Sequence, residues 1–416
     1  MWRNIAEYVA AIARVYGVML LVLTAAIVAV YCIPLSALRD NVDKSIATLE
    51  AEGNYPTRNI LGQAQLDNFT DCYMLQTSYC TDDKHPVRSA MEVMRCRRTS
   101  DIIADTRQYF NEGDVVPHES MWRYGKYWHG YQVVLRPLLT VTDYQGIRTL
   151  NWVLLPALLA ICLVQMWRIR RWLPLCFLFA LLVVKSGVVP LSMQYSNCYY
   201  IMLVSTILIM TFDSLTRTPL RRAPVMFAIG AFTAFSDFFT VPTITLGVPL
   251  ATMMLKRNEH SLRQVLGLCA MWGLGWLVFL VSKWPVAMLL AGYNPLHEVG
   301  LSIVLHTVND EDPTPKLISV KSIISYGIRP MFALKVVAAV LLLAAAWMAG
   351  RGRQVALKHL WLWLLALVGP AWMLVFMHHA YCHHFISLRS YLTTWYVLPI
   401  FMCLIIDWRA LVKRHR

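Results

Sequence analysis

The chain has 416 residues, of which 57% are hydrophobic and only 15% are charged. This balance excludes one large soluble core and is typical of a polytopic helical membrane protein. The formal net charge is +14, but the basic residues are divided among short segments between apolar runs instead of forming one arm or patch. We therefore expect no nucleic-acid partner.

Apolar runs recur along the whole chain, and a helix needs roughly 20 such residues to cross a bilayer. They predict an all-α polytopic membrane protein with about ten transmembrane helices and a large, mostly helical outer loop after the first. The fifth and sixth runs are short and are interrupted at Asp237 and Pro242, which favours two broken helices that meet there. The predicted crossings lie near residues 15–34, 150–167, 173–192, 197–213, 223–236, 239–255, 264–284, 332–350, 359–379 and 391–408.

The short loops on one side of the predicted membrane are rich in arginine and lysine, whereas those on the other side contain almost none. Loops of this kind stay in the cytoplasm. With an even number of crossings, both termini are then cytoplasmic, and we expect an integral protein of a bacterial inner membrane. The basic loops contain Arg168, Arg170 and Arg171; Arg217, Arg221 and Arg222; Lys256, Arg257 and Arg263; and Arg351, Arg353 and Lys358.

This topology divides the chain into five segments. Residues 35–149, named the loop domain below, contain 13 basic and 15 acidic side chains and are nearly neutral. Five aromatic residues fall between positions 122 and 131, a density that suits the membrane interface, and His129 among them is a candidate for substrate binding. The segments are 1–34, with the first transmembrane helix; 35–149; 150–291, the transmembrane bundle; 292–331, a second outer loop; and 332–416, the C-terminal transmembrane helices and basic tail.

Asp40 and Asp43 follow the first predicted crossing, in the sequence Leu38-Arg-Asp-Asn-Val-Asp43. On a helix, the i,i+3 spacing places both carboxylates on one face, here at the boundary between lipid and water. Loss of hydration there raises a carboxyl pKa toward that of a general base. Both residues are therefore candidate catalytic carboxylates, with the role of a general base. The alternative is acidic capping of a helix N-terminus.

Asp67 and Asp71 frame a second polar motif, Leu66-Asp-Asn-Phe-Thr-Asp71. Closely spaced Asp and Asn side chains can bind sugar hydroxyls or a divalent ion, although the run does not match an EF-hand. Asp67 is a third candidate for the catalytic base, and Asp71 is a candidate for substrate binding. The alternative is that this motif caps the helix that follows it.

Basic side chains lie near the outer ends of three predicted crossings, at Lys185, Lys283 and Arg389. Ionisable groups within a membrane generally mark function, and cations at this depth suit the phosphate group of a membrane lipid. Lys283 and Arg389 are therefore candidate substrate ligands. Snorkelling of the side chain to the surface is the alternative for each, and it is favoured for Lys185.

Four histidines occur in the sequence His378-His-Ala-Tyr-Cys-His-His384. The i,i+4 pair His379 and His383 has a spacing that can ligate a transition metal, but the motif contains no carboxylate. Hydrogen bonding of His383 to substrate or phosphate is favoured over metal binding. Asp237 either faces a polar cavity, which we favour, or caps the sixth helix.

This arrangement resembles the GT-C class of integral-membrane glycosyltransferases, which have a comparable number of spans, a large outer loop after the first, and a catalytic acid early in that loop. The phrases Asp67-Asn-Phe-Thr-Asp71, Tyr127-Trp-His-Gly-Tyr131 and His383-His-Phe-Ile-Ser-Leu-Arg389 also resemble uncharacterised bacterial polytopic proteins. The resemblance implies sugar transfer from a polyprenyl-phosphate donor to a glycan, lipid or protein acceptor at the outer face. Asp40 has the position that the catalytic acid occupies in the first outer loop of these enzymes. Because Asn41 follows it where many members have an Asp-Glu pair, Asp43 and Asp67 are alternatives.

The resemblance further implies a mechanism. A carboxylate deprotonates the acceptor hydroxyl, which displaces the lipid phosphate, while Lys283, Arg389 and His383 stabilise the departing charge. No nucleotide cofactor is implied, and a divalent metal is optional. The sequence contains no phosphate-cradling Gly-rich loop, which argues against an ATP-driven pump. The alternatives are a transporter or lipid flippase for an envelope-polymer precursor, which discontinuous helices would suit, and an assembly scaffold.

Overall fold

Helices dominate the computed structural model, and its strands form two short antiparallel pairs. Among the residues that the structure describes, four helical segments are long and apolar enough to cross a membrane, which is compatible with an integral membrane protein. About ten crossings are not confirmed, because the other described apolar helices are shorter or less apolar. The predicted crossing near 332–350 lies outside the described residues. The candidate spans are Ala6–Tyr31, Tyr144–Ile169, Leu262–Ala291 and His384–Ile405. The structure describes residues 2–113, 120–237, 239–300, 320–328 and 357–405.

Helix α1 (Trp2–Tyr31) leads into the loop domain, whose helices enclose a hydrophobic core of their own. Leu38 and Ile46 of the second helix are fully buried in this core and pack with residues of the third and fifth helices. The prediction of a mostly helical loop is confirmed for its described part. The elements are α2 (Leu35–Glu52), β1 (Thr57–Asn59), β2 (Gln63–Gln65), α3 (Asn68–Tyr79), α4 (Pro86–Glu92), β3 (Met94–Cys96), α5 (Ile102–Glu112), β4 (Met121–Arg123) and α6 (Gln132–Leu139).

The remaining helices form an apolar bundle that packs against the loop domain, and its large core includes Ala64 and Leu66 of that domain. Two stretches of 3₁₀ helix, Ser186–Leu191 and Leu388–Tyr391, interrupt it on the side that contacts the loop domain. The helices are α7 (Tyr144–Ile169), α8 (Leu173–Val183), α9 (Met193–Thr211), α10 (Asp213–Thr216), α11 (Pro219–Ser236), α12 (Ile244–Arg257), α13 (Leu262–Ala291), α14 (Val320–Ile328), α15 (Trp361–Ala366), α16 (Val368–Val375), α17 (Met377–Cys382), α18 (His384–Ser387) and α19 (Leu392–Ile405).

The predicted break near Asp237 is confirmed, because α11 ends at Ser236 and α12 begins only at Ile244. The Asp237 carboxylate accepts a hydrogen bond from the Thr240 backbone N–H at 3.0 Å, and the Phe239 backbone is left-handed, with φ of 59°. Asp237 therefore stabilises the turn between the two helices. It does not line the groove described below, although its neighbour Ser236 does.

Helices α11 and α13 cross in close backbone contact at two glycines. A Cβ atom added to Gly275 would lie 2.1 Å from the Phe227 carbonyl oxygen, and one added to Gly230 would lie 2.0 Å from that of Trp272. Small residues at helix crossings allow this kind of approach in membranes. The contact fixes α13 against α11.

We expect Gly275→Ala to lower the free energy of unfolding by about 1–3 kcal/mol, because the new methyl group must push the two backbones apart. Thermal denaturation in detergent would measure the loss. Gly273→Ala is the matched control on the same helix, since a Cβ at Gly273 meets no atom within 4 Å and alanine favours a helix. Equal melting temperatures for the two variants would contradict the close backbone contact at Gly275.

Candidate functional site

Asp67 is the N-cap residue of α3, directly after β2. Its two carboxylate oxygens accept hydrogen bonds from the Thr70 N–H at 3.1 Å and the Thr70 hydroxyl at 2.6 Å, so the predicted capping role is confirmed. Unlike most capping side chains, it is fully buried. Burial raises the pKa of Asp67 to about 7, against the opposing effect of the Thr70 hydrogen bonds. The carboxyl can therefore take up a proton near neutral pH.

Asp71, one turn later on α3, joins the loop domain to the start of α9. Its carboxylate accepts hydrogen bonds from the Gln194 N–H at 2.8 Å, the Met193 N–H at 3.1 Å and the Ser192 hydroxyl at 3.1 Å, and from the Tyr144 hydroxyl. Burial raises its pKa, and these donors oppose the shift. A carboxylate at a helix N-terminus also complements the helix dipole. The structure therefore gives Asp71 a joining role.

An ion pair between the buried Arg148 and the half-buried Glu52 strengthens the same junction. Arg148 of α7 donates two hydrogen bonds, at 2.7 and 2.8 Å, to the two carboxylate oxygens of Glu52 at the end of α2, and its Nε donates to the Leu191 carbonyl at 2.8 Å. Burial alone would raise the pKa of Glu52, but the bonds from Arg148 and Asn68 lower it to about 2. This carboxylate therefore stays charged.

We expect Glu52→Gln to destabilise the fold by about 3–5 kcal/mol, because it leaves the buried Arg148 guanidinium without its counter-charge. The melting temperature in detergent would report the loss. Glu50→Gln on the same helix removes an exposed ion pair with Arg107, so we expect a change of less than about 1 kcal/mol. Two equally small shifts would contradict the junction's importance.

Arg389 lies in the 3₁₀ turn before α19, with 1% of its surface exposed. Its Nη atoms donate to the Phe385 carbonyl at 3.0 Å and the Lys185 carbonyl at 3.4 Å. Within the described ranges, its Nε has no hydrogen-bond partner, and the acceptors of its Nη atoms are carbonyl oxygens. Lys185 has a left-handed backbone, and its Nζ donates to the Gln63 carbonyl of β2 at 2.8 Å.

Tyr195 of α9 connects the acid to this basic pair. The Arg389 guanidinium lies 4.4 Å from the centre of the Tyr195 ring. The ring's hydroxyl donates to the Gln65 carbonyl of β2 at 3.0 Å, two residues before Asp67. Burial raises the pKa of the Tyr195 hydroxyl, and the charge of Arg389 opposes this shift while that of Asp67 adds to it. Asp67, Arg389 and Lys185 are therefore connected through Tyr195 and β2, and the three residues are named the acid–base site below.

Asp40 and Asp43 are not part of the acid–base site. Helix α2 places both on its exposed face, and Asp43 forms an ion pair with Arg107 of α5. The apolar face of α2, which includes Leu38, points into the loop-domain core. The helical i,i+3 arrangement is present, and both carboxylates are exposed on the surface of the loop domain.

His129 and Lys283 lie in another part of the structure. The His129 ring nitrogens are 3.0 Å from the Tyr131 hydroxyl and 2.9 Å from the Tyr124 carbonyl. Burial lowers the pKa of His129 to about 3, so it is neutral. The buried Lys283 ammonium donates to the Ala90 carbonyl at 2.9 Å and lies 5.3 Å from the Trp128 ring. Through these contacts, His129 and Lys283 hold segments of the loop domain in place.

The histidine motif borders the acid–base site through Phe385. The rings of His379 and His383 are 4.8 Å apart, His383 is 6.2 Å from Phe385, and Phe385 is 5.7 Å from Tyr55 of the loop domain. Among the residues that the structure describes, no three potential metal ligands cluster together. His383 thus remains a candidate for hydrogen bonding at the edge of the site.

An apolar groove of about 620 Å³ lies between α1, α6, α7, α9 and α11. Leu154, Val204 and Phe232 are among its apolar walls, and Asn151 and Asn197 contribute polar atoms. Its lining includes none of the acid–base residues. Its size and apolar lining suit a lipid chain.

Sequence reasoning missed Tyr195, Arg148 and Glu52. Arg148 begins an apolar run close to the predicted membrane boundary, and intramembrane arginine is a signal that could have identified it. Tyr195 has no such signal, because only the tertiary fold places its ring against Arg389. No family model, curated protein or solved structure matches the chain.

Proposed function

We propose that the protein is a membrane glycosyltransferase that moves a sugar from a polyprenyl-phosphate-linked donor to an acceptor at the outer face of a bacterial inner membrane. The observation that best supports this is the acid–base site. Asp67 is a buried acid whose pKa is near neutrality, and Arg389 is a buried cation whose hydrogen bonds in the described ranges go to backbone carbonyls. Displacement of a phosphate leaving group needs both.

In the proposed reaction, Asp67 removes the proton from the acceptor hydroxyl. The acceptor oxygen forms a bond to the anomeric carbon as the bond from that carbon to the phosphate oxygen breaks. The phosphate leaves with the electron pair of the broken bond, and Arg389 and Lys185 stabilise its charge. Asp67 then releases the proton to water. No nucleotide takes part.

The apolar groove supports a lipid-linked substrate, because it offers an isoprenoid or acyl chain a binding surface along α9. From Asn197 to Leu208, both in its lining, this surface runs for about 16 Å at the rise of an α-helix. The same groove favours the second candidate function, a transporter or lipid flippase, since a lipid moving between leaflets would also follow a groove on the side of the bundle.

A direct assay separates the two functions. Purified full-length protein in nanodiscs would be incubated with a panel of radiolabelled polyprenyl-phosphate sugars and an envelope extract, without nucleotide. We expect label to move to the acceptor fraction. If no donor yields transfer, and reconstituted protein instead moves labelled lipid across vesicle bilayers, the flippase function would replace the transferase.

A further inference from the structure

The loop domain contains a second basic group that the proposed reaction does not use. Arg95 of β3 is half-buried, and its guanidinium lies 4.3 Å from the centre of the Tyr124 ring and 5.1 Å from that of Tyr73. Within the described part of the chain, no acceptor receives a hydrogen bond from Arg95, and its Nε is buried. A guanidinium has several N–H donors, and leaving them without acceptors is costly. The position suits an anionic ligand.

Lys126 adds a second positive charge beside the same ring. Its ammonium lies 5.1 Å from the Tyr124 ring and 5.2 Å from the Tyr127 ring. Burial and the charge of Arg95 lower the pKa of Lys126 to about 8, with Glu298 opposing the shift. Two cations beside one ring repel each other, and an anion bound near them would relieve that repulsion.

Half-exposed aromatic rings continue from this pair toward the bundle. Tyr127 lies 5.1 Å from Phe239, whose ring is 5.3 Å from Trp276 and 6.4 Å from Trp372. Aromatic side chains combine apolar faces with polar edges. Such a wall beside two cations suits an amphipathic ligand with an anionic group, such as a sugar phosphate.

Helix α3 connects Arg95 to the acid–base site. Tyr73, which contacts Arg95, lies 5.1 Å from Phe69, and Phe69 lies 6.0 Å from Tyr55. Asp67 precedes Tyr73 by six residues, which is about 9 Å along a helix. A small saccharide anchored by a phosphate at Arg95 could therefore reach the Asp67 carboxyl.

We propose that Arg95 and Lys126 form a second anion site, which binds the phosphate group of the acceptor while the acceptor sugar packs against Tyr127 and Phe239. The acceptor is thus a phosphate-bearing glycan. Its assignment as acceptor rests on the proposed function, whereas the anion site itself does not.

Binding measurements on the full-length protein in a sugar-free non-ionic detergent test the site. The probes are a hexose 1-phosphate, the corresponding methyl glycoside and a polyprenyl phosphate, followed by tryptophan and tyrosine fluorescence. We expect Arg95→Gln to weaken hexose 1-phosphate binding at least tenfold. Arg97→Gln, an exposed neighbour, should change it less than about twofold. Lys126→Gln provides the same test if Arg95→Gln does not fold.

Two results would overturn the second site. One is methyl glycoside binding as tight as hexose 1-phosphate binding. The other is equal loss of binding in Arg389→Gln and Arg95→Gln, which would leave a single site. Loss of polyprenyl phosphate binding alone in Arg95→Gln would overturn the assignment to the acceptor, because the anion bound at Arg95 would then be a lipid headgroup. Arg95-dependent binding without any sugar transfer would refute the proposed function but retain the anion site.

Discussion

Replacing Asp67 by asparagine should lower the rate of sugar transfer by about 10²–10⁴-fold, the usual contribution of a positioned general base. Asparagine retains a side-chain oxygen that can accept the Thr70 N–H bond, and it is a good N-cap residue. The variant should therefore fold and bind donor normally. Single-turnover transfer of radiolabelled sugar would measure the loss.

Asp40→Asn is the matched control for this experiment. It removes the same charge from an exposed position on α2, and we expect transfer to change less than about twofold because an exposed carboxylate far from substrate contributes little. Full activity in Asp67→Asn together with inactivity in Asp40→Asn would identify Asp40 as the base, as the resemblance to the GT-C class implies.

The pH dependence of the wild-type rate gives an independent test of the same carboxyl. Burial favours the neutral form of Asp67 and raises its pKa to about 7, whereas the reaction needs the ionised form. The rate should therefore rise about tenfold per pH unit below pH 6 and level off above about pH 8. A profile that is flat from pH 5 to 8 would show that no group with this pKa limits the reaction.

Arg389→Gln should lower kcat by about 10²–10³-fold, because it removes a buried charge that stabilises the departing phosphate. The loss should appear mainly in kcat, since the charge on the leaving oxygen develops in the transition state. Arg389→Lys should recover part of the rate, because it restores the charge but not the planar donor geometry.

Arg171→Gln is the control, since Arg171 is exposed and belongs to the basic loops at the other end of the bundle. We expect it to transfer sugar at the wild-type rate. If Arg389→Gln raised KM without changing kcat, Arg389 would act in donor binding alone.

Local sequence features predicted several parts of the fold. The sequence Asp67-Asn-Phe-Thr70 specifies a capped helix because the donor and acceptor lie within four residues. The break at Asp237 was visible because a carboxylate and a proline interrupt a run too short for two crossings. Both features depend only on neighbouring residues.

The interpretation of Asp40 depends on how α2 is rotated about its axis as well as on whether the segment is helical. The helix was expected, but its rotation depends on which face is buried. Leu38, Val42, Ile46 and Leu49 are buried at helical spacing and turn Asp40 toward water. That pattern was present in the sequence. The position of Tyr195 between Asp67 and Arg389 was not, because these residues come from three distant parts of the chain.

The junction at Asp71 has a consequence for biogenesis. The donors that satisfy this carboxylate on α9 lie 121–123 residues further along the chain, and the partner of Glu52 lies 96 residues further. During synthesis, neither the Asp71 carboxylate nor the Arg148–Glu52 ion pair can therefore gain all its partners until the helices after the loop domain have been made. A fragment that stops before residue 144 would leave the buried Asp71 carboxylate without these donors, and we expect a chaperone or protease to recognise it as unfinished.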